Sequence, residues 1–253
     1  MKLSEAMREK MLLSFELFPP KTEKGMANLP GTIEHLMKYR PEYISCTYGA
    51  GGGNVGANRE VCQMIRNAGT VPVTHFTVIK NTKEGIKEQL EQYLAEGVDH
   101  MLALRGDIPL GETTTCGDFD YATDLVKFVR DTYGDKFEIA VAGSPEGHIS
   151  CRSLESDIAV LKQKQDNGAD YIMTQLCWDM EQFKYWLDAI RKAGITMPVD
   201  VGVMPILDQA ATINMALSRN GCVMDRELSR MISRLAIRLT PRRRSFTLRS
   251  KGM

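Results

Sequence analysis

A chain of 253 residues, 43% hydrophobic and 25% charged, has the balance of a globular protein with material for one sizeable core, which excludes disorder, collagen-like repeats and a disulfide miniprotein. No apolar run nears the roughly 20 residues of a membrane helix. The opening MKLSEAMREKMLLSF carries acidic residues and too short an apolar patch for a signal peptide, so a cytoplasmic location with no membrane association is expected. The formal charge of zero hides an asymmetry: Leu228 to Met253 hold eight Lys or Arg and no Asp or Glu, so the tail is +8 and the rest −8.

Short β-rich runs alternate with longer amphipathic stretches. The runs are LLSFELF (12–18), YISCTYG (43–49), VPVTHFTVI (71–79), HMLALRGD (100–107), FEIAVAGSP (137–145), YIMTQL (171–176) and MPVDVGVMP (197–205). Their near-continuous apolar character suits strands buried on both faces of a parallel sheet. Between them, 83–96 carries Ile86, Leu90 and Leu94 in a row at four-residue spacing, and 154–167 and 180–193 behave likewise. Gly97, Gly168 and Gly194 follow these three segments, where a helix end wants a residue tolerant of positive φ.

The pattern is strand–helix, seven times, which fits either a (β/α)8 barrel or an open doubly wound sheet. The open dinucleotide-binding sheet carries G-x-G-x-x-G after its first strand; here that strand ends in FPPK. A single TIM-type (β/α)8 barrel domain over 1–253 is therefore expected, with clear repeats in 1–225 and a basic segment in 226–253. Two further helices read at about 208–219 and 225–239. The eighth strand is the weak point, since SFTL (245–248) is a poor strand with nothing after it to form its helix.

Function in such a barrel lies at the C-terminal strand ends. These carry Glu16, Thr47 with Tyr48, His75 with Thr77, Arg105 with Asp107, Ser144 with Glu146 and His148, and Gln175. Glu16, flanked by Phe15, Leu17 and Phe18, is desolvated in such company, which favours its protonated form and suits a general acid. The alternative is a strand glutamate paired with Lys or Arg. In ALRGD, Arg105 can fork onto a phosphate and Gly106 lets a backbone approach a ligand; the alternative is a turn with a surface ion pair. YGAGGGN (48–54) could meet phosphate with its backbone N–H groups, or be a plain flexible loop. His75 lies inside an apolar strand, where a satisfied core residue is the common outcome, and His35 and His100 read as structural. The six cysteines lack C-x-x-C pairs or zinc-finger histidine spacing and read as reduced thiols, with no metal site expected. The basic tail reads as a solvated helix face rather than a nucleic-acid or membrane binder.

Taken together, SFELFPPKTEKG, ISCTYGAGG, THFT, ALRGDIP, DYATDLV, VAGSPEGH, LKQKQDNGAD and MTQLCWD resemble, in order and spacing from about Leu13 to about Pro205, the methylenetetrahydrofolate reductase family of flavoprotein barrels. The resemblance implies FAD at the barrel mouth, NADH or NADPH as electron donor, and reduction of methylenetetrahydrofolate to methyltetrahydrofolate in two half-reactions. It implies Glu16 as the general acid that helps open the imidazolidine ring, Asp107 as a catalytic residue contacting the pterin and influencing the flavin, and Gln175 as a folate ligand. It implies FAD contacts at Thr47, Tyr48, Ala50, His75, Arg105, Gly106, Asp107, Ala122, Ser144, His148, Asp157 and Lys164.

The family often has Tyr at the position of Ser144 and a basic residue at that of Gln163. The family's Gln and aromatic after Pro205 correspond to Ala211 and Met215, and its final-strand motif is not recognisable. The expected partners are the folate substrate, a nicotinamide cosubstrate and further copies of the chain, with no nucleic acid. The alternative to an enzyme active alone is a flavoprotein subunit dependent on a partner chain.

Overall fold

The computed structural model describes residues 2–48, 55–108, 111–148, 150–204, 210, 212–213 and 228–232. Seven parallel strands pair strictly in chain order: β1 (Ser14–Leu17), β2 (Tyr43–Cys46), β3 (Val71–Thr77), β4 (His100–Leu104), β5 (Glu138–Gly143), β6 (Tyr171–Thr174) and β7 (Val199–Asp200). Each lies inside one of the seven apolar runs. A short helix, α1 (Leu3–Glu9), precedes β1. The crossover helices are α2 (Glu23–Met37), α3 (Val55–Asn67), α4 (Lys83–Ala95), α5 (Ala122–Tyr133), α6 (Leu154–Asp166) and α7 (Met180–Lys192). This sequential parallel order, with one helix per crossover, is the expected α/β TIM-type architecture. The SFTL segment lies outside the described residues. Residues 210, 212–213 and 228–232 are helical, inside the two helices expected at 208–219 and 225–239.

Local chemistry starts the helices, and stops three of them at the glycines the sequence marks. Thr22 and Thr82 cap α2 and α4 by accepting from Gly25 and Gly85 N–H, each at 3.1 Å. Asp179 accepts from Glu181 and Gln182 at the start of α7, satisfying amides that have no partner inside the helix. Gly97, Gly168 and Gly194 follow α4, α6 and α7 with φ of +73°, +102° and +78°, the left-handed turn that ends a helix without a Cβ penalty.

Strand alternation separates two cores. Ile44, Cys46, Phe76, Met101, Ala103, Ile139, Val141 and Ile172 face outward and bury the apolar stripes of the helices, with Trp186, Tyr93 and Val129 among the contributors. Tyr43, Val73, Leu102, Ala140, Tyr171 and Met173 face inward and fill the barrel, closed below by Leu3, Met7 and Leu12. The inward set predicts which later residue on each strand reaches the mouth: positions 45 and 47 on β2, 75 and 77 on β3, 175 beyond β6, and 16 on β1.

The barrel floor is polar and tightly paired. Glu138, the first residue of β5, accepts from the backbone N–H of Leu3 and Ser4 at 2.7 Å each, and from the Ser4 hydroxyl. It thereby docks α1 under the barrel. His100 Nε2 lies 3.0 Å from the same carboxylate, and its Nδ1 lies 2.6 Å from Asp99. One layer up, Asp200 of β7 accepts from the Tyr43 hydroxyl of β2 and, at 3.4 Å, from Ser14 of β1. This link reaches across the interior from the last described strand to the first two. His100 is thus structural, as its sequence setting suggests.

Candidate active site

Glu16 and His75 define the centre of the mouth. β1 turns Glu16 inward, two residues after Ser14, immediately before the chain leaves through Phe18-Pro19-Pro20. Its side chain is 46% exposed, so water reaches it from the open end. The surrounding protein still strips enough hydration from the carboxyl to raise its pKa above the ordinary glutamate value. Among the described residues no Lys or Arg pairs with it. His75 Nε2 lies 3.7 Å from it, beyond hydrogen-bond range. Burial pushes His75 down to about 4, so the imidazole is neutral at pH 7 and gives the carboxylate no counter-charge. Both effects favour a protonated Glu16.

His75 does not behave as a satisfied core histidine. Its Nε2 is buried without a hydrogen-bond partner among the described residues, and so is Thr77 Oγ1, two residues on along the same face of β3. Buried polar groups are ordinarily paired. Two adjacent unpaired ones, facing the mouth, mark a surface shaped for a polar ligand.

The end of β2 is anchored from several sides. Thr47 N–H donates to Leu17 O at 2.9 Å, extending the β1–β2 ladder, and its side chain is half-buried on the inward side. Tyr48 turns the other way. Its ring is buried against Phe76 and its hydroxyl donates to Gln89 of α4, so it can meet a ligand at the mouth only through its backbone. Gln89 donates on to Asn81 at 3.1 Å, and Asn81 to Thr77 O at 3.0 Å, tying the ends of β2 and β3 together. Ala50 and the glycine run lie outside the described residues.

A corner of mixed charge forms over β4, β5 and α6. Arg105 follows β4 and makes no ion pair with Asp107, so the surface-pair alternative does not hold among the described residues. Gly106 has a φ of +87°, and a Cβ there would sit 3.0 Å from Ile79 Cγ2 and 3.2 Å from Thr77 Cβ. Asp107 is exposed beside it. His148 N–H donates to Asp157 Oδ2 at 3.2 Å, and Lys164 Nζ donates to Ala142 O at 3.0 Å. Burial lowers the pKa of Lys164, opposed by Asp157. Burial also lowers that of His148, with Arg105 and Lys164 acting in the same direction and Asp157 against them. Arg105, His148, Asp157 and Lys164 therefore share one field. Ser144 closes a turn, accepting from Gly147 N–H at 2.9 Å. Ala122 opens α5. Gln175 continues the inward face of β6, its N–H bonded to Gly143 O at 2.8 Å. Among the described residues no group of His, Cys, Asp or Glu could hold a metal ion.

A family model described as methylenetetrahydrofolate reductase matches residues 2–234. The chain belongs to the methylenetetrahydrofolate reductase family. Methylenetetrahydrofolate reductase (NADH) 1 of Arabidopsis thaliana is 38% identical over 216 residues, covering 80% of this chain and 36% of that protein. The 5,10-methylenetetrahydrofolate reductase of Pectobacterium carotovorum is 34% identical, covering 77% of this chain and 64% of its own. The chain thus spans about a third of the plant relative and under two thirds of the bacterial one. Among solved structures, an uncharacterized protein from Clostridium thermocellum, described as binding two copies of 5-methyl-5,6,7,8-tetrahydrofolic acid, aligns with a TM-score of 0.65 over 92% of this chain and 79% of that one. At 12% identity this is a likeness of fold.

Sequence reading missed one residue of this region. Asn58 on α3 is fully buried and bonded to the end of β2. The signal was present: Asn58, Cys62 and Ile65 fall at i, i+4 and i+7, a polar residue set in the buried row of a helix.

Proposed function

We propose that the chain reduces methylenetetrahydrofolate to methyltetrahydrofolate with a bound flavin, taking electrons from NADH or NADPH, and that Glu16 is its general acid. The observation that carries the reading is Glu16 at the mouth, its pKa raised by burial and a neutral His75 at 3.7 Å, in a chain of this family. FAD suits the residues present. The unpartnered His75 Nε2 and Thr77 Oγ1 suit the polar edge of a flavin ring, and Arg105 and Lys164 are cations suited to a diphosphate. Gly106, Ser144, His148, Asp157, Ala122 and Thr47 complete the proposed FAD surface, with Tyr48 supporting it from behind. When bound, FAD supplies the hydride chemistry.

The chain's own residues then have separate tasks. Glu16 holds its proton until the five-membered ring of the folate opens, and delivers it to the nitrogen released. Asp107 and Gln175 orient the pterin, Gln175 from the inward face of β6. His75 stays uncharged, so it does not compete with Glu16 for the proton's site. Incubation of the FAD-loaded chain with methylenetetrahydrofolate and NADH or NADPH is expected to yield methyltetrahydrofolate, one per nicotinamide oxidised, by chromatography. Nicotinamide oxidation with no methyltetrahydrofolate formed contradicts the reading.

A further inference from the structure

Asn58 is a fully buried polar side chain in the outer core, and both hydrogen bonds that its amide donates run to the segment that leads into the mouth. It sits in the first turns of α3 with no exposed surface. Its Nδ2 donates to Cys46 O at 2.9 Å and to Thr47 O at 3.1 Å. Its Oδ1 accepts from the Thr74 hydroxyl at 2.8 Å and the Tyr93 hydroxyl at 2.7 Å, with the Cys62 thiol at 3.6 Å. The orientation of the amide is fixed by chemistry: carbonyl oxygens only accept, so the NH2 must face Cys46 and Thr47.

The two donated bonds have a geometric meaning. Successive carbonyls in a strand point to opposite sides, so two that converge on one amide mark where the chain leaves the strand. β2 ends at Cys46. Beyond it, Thr47 N–H still reaches Leu17 O, while the carbonyls of Cys46 and Thr47 are gathered by Asn58. Tyr48 is then held from outside by Gln89. Asn58 thus sets the angle at which Thr47 and the backbone of Tyr48 reach the mouth.

We propose that Asn58 is a positioning residue for the flavin, its amide holding the Cys46–Thr47 backbone in the conformation that presents Thr47 and the following backbone to the cofactor. This rests on the flavin reading above. It divides the amide into two halves with different consequences. Losing the acceptor side, as in Tyr93→Phe, removes one bond to the α4 wall and leaves the β2 end held. Losing the donor side, as in Asn58→Asp, sets an oxygen against two carbonyls with the shape of the side chain unchanged.

The test compares FAD dissociation constants, by quenching of flavin fluorescence, with apo-protein thermal midpoints for wild type, Asn58→Asp, Asn58→Ser and Tyr93→Phe. The expected result is FAD affinity at least about tenfold weaker in Asn58→Asp and Asn58→Ser. Tyr93→Phe should stay within about twofold of wild type while its thermal midpoint also falls. Asn58→Ser, which buries no charge, serves if Asn58→Asp does not fold. A visible circular dichroism band of bound flavin altered in the Asn58 variants, and not in Tyr93→Phe, is the accompanying signature. Wild-type-like FAD affinity in the Asn58 variants, or equal loss in Tyr93→Phe, overturns the inference alone. A folded wild-type chain with no affinity for FAD overturns the flavin reading and the inference with it.

Discussion

Glu16→Gln is expected to lose methyltetrahydrofolate formation by about 10²- to 10⁴-fold, the usual worth of a positioned general acid, while keeping flavin. Glutamine has the shape of the protonated acid and, like it, no charge, so the mouth loses neither volume nor counter-charge. Among the described residues no cation depends on Glu16, and His75 is neutral, so the variant leaves no stranded charge. What it lacks is a transferable proton. The pH profile gives an independent check. Because burial raises the Glu16 pKa, the acid form persists above the ordinary glutamate range. Wild-type kcat/KM for the folate should then fall as pH rises through that raised value, and the limb should be absent from the variant's residual rate. Turnover that survives the substitution intact rules Glu16 out as the acid.

Glu138→Gln is expected to cause the largest loss of stability, about 3–5 kcal/mol, seen as a drop of roughly 10 °C in the thermal midpoint. The carboxylate holds the two first amides and a hydroxyl of α1 and faces the buried imidazole of His100. A glutamine can accept from only part of this set and turns an NH2 toward the remaining donors. Burial works against charge on both partners. The bonds of His100 to Asp99 and Glu138, and those of Glu138 to His100, Ser4 and Leu3, more than offset it, leaving His100 raised to about 9 and Glu138 lowered to about 2.

The pH dependence follows from these shifts. The raised His100 stabilises fully below its unfolded value of 6.5, and that share is lost as pH climbs through about 9. The depressed Glu138 stabilises fully above its unfolded value of 4.5, and its share is lost as pH falls through about 2. The cluster therefore contributes most between 4.5 and 6.5. Urea midpoints between pH 6.5 and 9 should decline more steeply in wild type than in Glu138→Gln. Parallel curves would mean that His100 draws its charge stabilisation from elsewhere.

The barrel was legible because strands buried on both faces need unbroken apolar runs, and all seven runs contain their strands. The helix ends at Gly97, Gly168 and Gly194 were legible for an equally local reason. The direction of the Glu16 shift agrees with the one expected from its apolar neighbours, but not for that reason: Phe15 and Leu17 pack outward against the helices and Phe18 is 64% exposed, so the desolvation comes from the inward side of the barrel. Three features were not legible. α1 stands ahead of the repeat, and its docking depends on Glu138, far along the chain. The Asp200–Tyr43–Ser14 link joins opposite ends of the sheet and exists only once the sheet curls. Tyr48, grouped by sequence with the mouth residues, turns outward because strand alternation puts it on the same side as Cys46. Which neighbour of a strand end faces the ligand is decided by register, and register depends on pairing that sequence does not state.

The most direct test of the central claim follows the visible spectrum of the FAD-loaded chain through both half-reactions without oxygen. The account predicts that NADH or NADPH bleaches the flavin, and that adding methylenetetrahydrofolate restores its colour as methyltetrahydrofolate forms. In Glu16→Gln the first change should persist and the second should fail. A folded chain whose reduced flavin is not reoxidised by methylenetetrahydrofolate, or a Glu16→Gln chain reoxidised as fast as wild type, contradicts it.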